Sequence, residues 1–271
     1  MNEWDATTYE AKENLLRVLR GEAEALFEMA RAADAWQQST ACTKWQVRDI
    51  VGHLIDVTEG YFTAFDAAVS GARTPEPLGL KVMAERLDES ARAHRELGQA
   101  ETLDRLETDF AKMMEICSAL GPDEWGGRQV THKYMGPLPA FIYPVFQLMD
   151  YGVHGWDIRQ GAGRAHGLAA DTADLLAPFM FILWQATTDV PAGTERASVG
   201  VRVFGRNAGD YAVTVSTDGL NYEKADISGL PAVIEFDPGS LVLTAFGRVN
   251  AGTISGDHAV AETFLNAFFR I

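Results

Sequence analysis

From Thr8 to about Thr188 apolar residues recur every three or four positions, and from Ala197 onward every second position. The first period is that of a helix buried along one face, the second that of a half-buried strand. A first helix is expected from about Tyr9 to Ala33, carrying Leu15, Leu19, Ala23, Leu26 and Phe27 on its apolar side. After a polar loop ending near Thr43, a second runs from about Trp45 to Ser70, where Gly71, Pro75 and Pro77 stop it. A third spans roughly Lys81 to Leu120, with Gly98 placed to bend or split it. The Gly/Pro-rich stretch from Gly126 to Pro139 reads as irregular until a helix restarts near Ala140 and reaches about Arg159. A last helix of this series is expected from about Asp171 to Thr188.

The closing third predicts strands around Val199 to Val203, Tyr211 to Val215 and Leu241 to Ala245. Turn residues at Asn207 to Gly209, Asp218-Gly219 and Pro238-Gly239 separate them, so neighbours are expected to be antiparallel. Asp257 is placed to cap a terminal helix whose Ala261, Phe264, Leu265 and Phe268 pack on the sheet. The expected architecture is a helical bundle followed by a small α+β domain.

Composition narrows the functions. With 271 residues, 47% hydrophobic and 23% charged, the chain has the makeup of a globular protein. Acids outnumber bases 38 to 23, a formal charge of −15 that argues against a nucleic-acid partner and against binding to an anionic membrane surface. Cys42 and Cys117 are too few for a disulfide framework, and the opening residues lack a signal-peptide pattern, which points to the cytoplasm. Leu175 to Trp184 is about half the ~20 residues needed to span a bilayer. Monomer and homodimer are both compatible with the sequence.

Two of the six histidines stand in helices near acids at helical spacing. His53 lies at the edge of an apolar stripe, beside Asp49 and Asp56. Asp150 and His154 are at i and i+4, with Asp157 three further on, so the three project from one helix face. A D-x-x-x-H pair joined by a histidine from another helix supplies two imidazoles and a carboxylate, the donor set of a catalytic zinc site with a fourth position open. Asp157 or Asp56 would then orient an imidazole. Weighed against this, a helical histidine beside an apolar face is commonly a hydrogen-bonded core residue. His94, amid Arg92, Arg95 and Glu96, reads as solvated; His132 lies in a loop over the bundle, where loops often line sites; His166 and His258 read as surface or capping residues. Cys42, eleven residues before His53, reads as a small buried hydrophobe or a thiol approaching that histidine. Gly161-x-Gly163-x-x-x-Gly167 has the wrong spacing and context for a dinucleotide fingerprint. Arg248, after an expected strand end, suits a carboxylate ligand or the surface.

Trp45-Gln46-Val47-Arg48-Asp49-Ile50-Val51-Gly52-His53-Leu54, taken with Asp150-x-x-x-His154-Gly155-Trp156-Asp157-Ile158-Arg159, resembles the mycothiol-dependent maleylpyruvate isomerase family of the DinB-like superfamily. The resemblance covers nearly the full length. It implies a DinB-like antiparallel four-helix bundle over residues 1–165 and a sterol-carrier-like α+β domain with a mostly antiparallel sheet over residues 166–271. It also implies zinc or another divalent ion on His53, Asp150 and His154, and mycothiol or a similar low-molecular-weight thiol as cofactor or co-substrate. Where the family pattern has glutamate this chain has Asp150, a shorter arm. The resemblance further implies a C-terminal arginine acting in catalysis, for which Arg248 is the best match and Arg206 a weaker one. The implied activity is isomerisation of a small electrophilic acid such as maleylpyruvate, or transfer of the thiol to one. A metal-dependent hydrolase and a non-catalytic small-molecule or lipid-binding protein are the alternatives.

Overall fold

The computed structural model describes residues 3–164, 166–193 and 196–271. Its contacts divide the chain into two compact units, Met1–Leu168 and Ala169–Ile271. Ala165, at which the sequence reading ends the first domain, lies outside the described residues.

The first unit is helical. A 3-10 turn at Tyr9–Ala11 leads into α1 (Lys12–Arg31), followed by α2 (Val47–Ser70), α3 (Leu80–Arg92), α4 (Gln99–Ala119), α5 (Pro122–Gly127), β1 (Gln129–His132), β2 (Gly136–Pro139) and α6 (Ile142–Gly161). On α1, Leu15, Leu19, Ala23, Leu26 and Ala30 have no exposed surface, and their spacing of four, four, three and four is the helical stripe that drives this element inward. The four long helices pack as a bundle in which both α4 and α6 contact α1 and α2. Helix α6 is buried around most of its circumference, from Ile142 to Ile158, and forms the inner wall against which chemistry can be held away from water.

Local chemistry sets the breaks. The expected third helix is two: α3 ends at Arg92, and Gly98 is the N-cap of α4. Gly71, at φ +67°, ends α2 in the left-handed conformation that glycine adopts without steric cost. The stretch read as irregular, Gly126 to Pro139, begins on the last two residues of α5 and then forms an antiparallel hairpin pairing Gln129 with Pro139 and His132 with Gly136.

The second unit holds α7 (Ala170–Leu176), a 3-10 turn at Ala177–Phe179, α8 (Met180–Thr187), β3 (Ala197–Val203), β4 (Gly209–Ser216), β5 (Gly219–Lys224), β6 (Ala232–Phe236), α9 (Pro238–Ala245), β7 (Thr253–Gly256) and α10 (His258–Leu265). The expected 171–188 helix is thus interrupted at Pro178, which lacks the N–H a helix interior needs. The sheet runs β5-β4-β3-β6-β7, antiparallel except for the parallel β3/β6 pair. The sheet is thus mostly antiparallel, as expected, and the one parallel pair arises because β6 reaches the far side of β3 rather than folding back beside β5. Asp257 does cap α10, accepting from the N–H groups of Ala259 and Val260, and α10 packs on β3 and β6.

Leu241 to Ala245 is helical, contrary to the expected strand. Leu241, Val242 and Leu243 are buried in succession, which no half-exposed strand permits, and the Asp237 carboxylate accepts from Ser240 N at 3.1 Å with Pro238 opening the first turn. Pro238-Gly239 is therefore a helix start. Among the described residues no helix is long and apolar enough to cross a membrane.

Candidate metal centre

The loop from Thr40 to Trp45 and the start of α2 shape one side of the site. Gln46 N donates to Asp49 Oδ2 at 2.9 Å, closing the first turn of α2. The Asp49 carboxylate, wholly buried, also takes both arms of Arg95, at 2.7 and 2.6 Å. Burial alone would raise its pKa, but the Arg95 hydrogen bonds, helped by Gln46 N–H, hold it below the ordinary value. One turn on, His53 points inward at 5% exposure. Gly52 allows α2 to pass the end of α3, since a Cβ there would stand 2.3 Å from Ala91 O.

Helix α6 supplies the other side. Asp150, His154 and Asp157 lie on its inner face, with His154 at 7% exposure and the Asp157 carboxylate inaccessible. Gly161 lets the preceding loop close on this helix, because a Cβ there would meet Ser39 O at 2.1 Å. Ala41 N donates to Asp157 O at 3.0 Å in the same closure.

The three side chains expected to hold an ion converge: ligand atoms of His53, Asp150 and His154 all lie within 4.8 Å of one another. The two imidazoles meet edge to face with centroids 5.1 Å apart. His53 Nε2 and Asp150 Oδ1 are 3.7 Å apart, beyond hydrogen-bond reach and near the roughly 3.3 Å that two donors on one tetrahedral ion adopt. Among the described residues His53 Nδ1 is buried with no hydrogen-bond partner. His154 Nδ1–H donates to Asp157 Oδ2 at 2.9 Å, a tautomer that leaves the ring's lone pair on Nε2. This donor set fits a divalent ion of the zinc type. Of the two acids read as possible orienting groups, Asp157 makes that contact, whereas Asp56 is solvent-exposed.

Two features were less legible. Trp45 packs against both imidazoles, at centroid distances of 5.1 Å to His53 and 5.7 Å to His154, and its Nε1–H is anchored on Asp88 at 2.9 Å. Trp45 stands just ahead of α2, at the head of the motif that ends at Leu54, but aromatic residues read as core by default. Cys42 contacts α6: its thiol donates to Asp157 Oδ2 at 3.1 Å and lies 4.0 Å from His154 Nδ1.

Further along the α2/α6 seam, Tyr61, Phe146 and His132 form an aromatic wall, with His132 5.7 Å from Phe146 and 6.0 Å from Tyr61. Burial pushes the His132 pKa down to about 4 against the opposing pull of Asp150, so the ring is neutral near pH 7. His94 is half-buried beside Gly52 rather than solvated, and burial lowers its pKa. His166 is half-buried beside Trp156, and His258 is the exposed first residue of α10. In the second unit, Arg248 donates to Phe246 O at 3.1 Å, and Arg206 is paired with Asp171 and Asp174. A cavity of about 590 Å³ between α1 and α4, lined by Phe27, Phe110 and Met114 among others, contains no histidine or cysteine and none of the site residues.

Residues 16–159 match the family described as the mycothiol maleylpyruvate isomerase N-terminal domain. The crystal structure of the mycothiol-dependent maleylpyruvate isomerase aligns with a TM-score of 0.60 at 14% identity, over 91% of this chain and 94% of that one. A histidine-to-alanine mutant of that isomerase gives the same values. The colibactin self-resistance protein ClbS, in complex with double-stranded DNA, aligns over 57% of this chain and 97% of its own with a TM-score of 0.48. At this identity the likeness to the isomerase is one of fold. No curated protein is similar enough to match.

Proposed function

The chain belongs to the mycothiol maleylpyruvate isomerase N-terminal domain family, and from that premise we propose that it is a metal-dependent enzyme acting with a low-molecular-weight thiol of the mycothiol kind. Its substrate is a small electrophilic acid such as maleylpyruvate, which it isomerises or to which it transfers the thiol. The observation that carries this reading is the convergence of His53, Asp150 and His154, from two helices, within 4.8 Å.

A divalent ion on these residues would supply the positive charge that favours the anionic, nucleophilic form of a bound thiol. The protein's own side chains do the rest. Asp157 holds His154 in one tautomer and one orientation, so its Nε2 is presented without rearrangement. Trp45 covers one side of both imidazoles, limiting water there and strengthening electrostatic interactions. Tyr61 and Phe146 line the seam beyond Asp150 with apolar surface, suited to the carbon skeleton of a conjugated acid. From the family resemblance alone, Arg248 is our candidate for receiving the substrate carboxylate, which a guanidinium can do bidentately.

The test is metal analysis and turnover on the full-length protein. Zinc at about one ion per chain, its loss in His154→Ala, and maleylpyruvate turnover only with added thiol are the expected results. Full metal retention in His154→Ala would refute the ligand assignment, and turnover without thiol would point to a hydrolase.

A further inference from the structure

We propose that Cys42, His154 and Asp157 form a second cation site, one for thiophilic ions of the zinc and cadmium class, that competes with the first for the same imidazole. The ligand atoms lie within 4.8 Å of one another. Cys42 Sγ is 3.1 Å from Asp157 Oδ2 and 4.0 Å from His154 Nδ1, and Nδ1 is 2.9 Å from Oδ2. Donors at the bond lengths of a tetrahedral zinc-thiolate site stand roughly 3.3–3.6 Å apart, so each pair needs to move by only about half an ångström. The set is also chemically distinct. Thiolate is the soft donor that selects such ions, and with the carboxylate it supplies two negative charges to balance a dication in a place where Asp157 is inaccessible to water.

Occupation has a definite proton balance. The ion takes the place of the Cys42 thiol proton, which leaves to solvent, and the proton on His154 Nδ1 moves to Nε2 while Nδ1 becomes the ligand. An imidazole protonated on Nε2 cannot ligate an ion shared with His53 and Asp150. The two sites are therefore alternatives, joined through opposite nitrogens of one ring. The second stands on its own geometry, whether or not the first holds a metal.

The chain contains two cysteines, which makes the test clean. Cys117 is wholly buried, and burial pushes its thiol up to about 12. Cadmium chloride is titrated into the full-length protein while thiolate-to-metal charge-transfer absorption is followed in the ultraviolet. The wild type and His53→Ala should both develop the band, saturating at one equivalent, and Cys42→Ser should lose it. Asp150→Asn replaces His53→Ala if that variant does not fold. Absence of the band in the wild type overturns the proposal, as does its survival in Cys42→Ser. Its loss when His53 or Asp150 is replaced would also overturn it, because Cys42 would then belong to the first set.

Discussion

Replacing Asp157 by asparagine isolates the contribution of an orienting carboxylate. The side chain has no exposed surface and receives His154 Nδ1–H at 2.9 Å and the Cys42 thiol at 3.1 Å on the same oxygen. Asparagine preserves volume and one acceptor oxygen but removes the charge, so the imidazole is held by a neutral hydrogen bond and donates less electron density to an ion on Nε2. Outer partners of this kind typically contribute 10- to 100-fold in metal affinity, or about 1.4–2.8 kcal/mol. Zinc affinity of the full-length variant, measured by competition with a chromophoric chelator at fixed pH, should fall by that factor. Asp56→Asn is the control, since Asp56 is exposed and also near His53 in sequence, and it should leave affinity unchanged. Equal affinities for Asp157→Asn and wild type, or an equal loss in both variants, would refute the argument that Asp157 positions the ligand.

Gly52→Ala should destabilise the first unit by roughly 1–3 kcal/mol in denaturant titration, because the added Cβ would stand 2.3 Å from the Ala91 carbonyl oxygen and α2 would have to shift beside His53. Zinc binding should weaken with it, and wild-type values for both would contradict the close packing. Arg95→Leu leaves the buried Asp49 carboxylate without its bidentate partner, at a cost of about 1–3 kcal/mol at neutral pH. In the wild type Asp49 has a lowered pKa, so its stabilising contribution is present above the unfolded value of 3.8 and is lost as pH falls through the lower folded value. Without Arg95 burial dominates, and acid unfolding followed by circular dichroism should begin at higher pH; superimposable acid transitions would count against this. Arg248→Ala should raise KM for an acidic substrate while leaving zinc content unchanged, and an unaltered KM would remove Arg248 from the reading.

The parts of the fold legible in sequence are those where one face is buried and the other wet. Helix α1 shows this most plainly, and Asp150 and His154 were readable as a pair because helical spacing alone puts i and i+4 on one face. Helix α6 offered less contrast, being apolar nearly all round. Helix α9 departs from the strand expectation because Leu241 to Phe246 is nearly uniform in hydropathy, leaving the Asp237 cap and Pro238 as the deciding features. Edge strands β5 and β7 carry few buried side chains, hence little alternation to detect. The Cys42 contacts had no periodic signature at all. They join a loop to residues 112 and 115 positions away, and only the assembled tertiary structure brings them together.

That separation bears on the order of events during folding. Histidines brought together across about a hundred residues are not neighbours in an unfolded chain, and closing so long a loop costs conformational entropy before any ligand bond can compensate. An ion is therefore expected to arrive late, at a cavity already built by helix packing, instead of nucleating collapse as it does in a zinc finger. Metal supply would then govern how long a finished molecule persists before unfolding, while leaving the rate at which new molecules reach that state nearly unaltered.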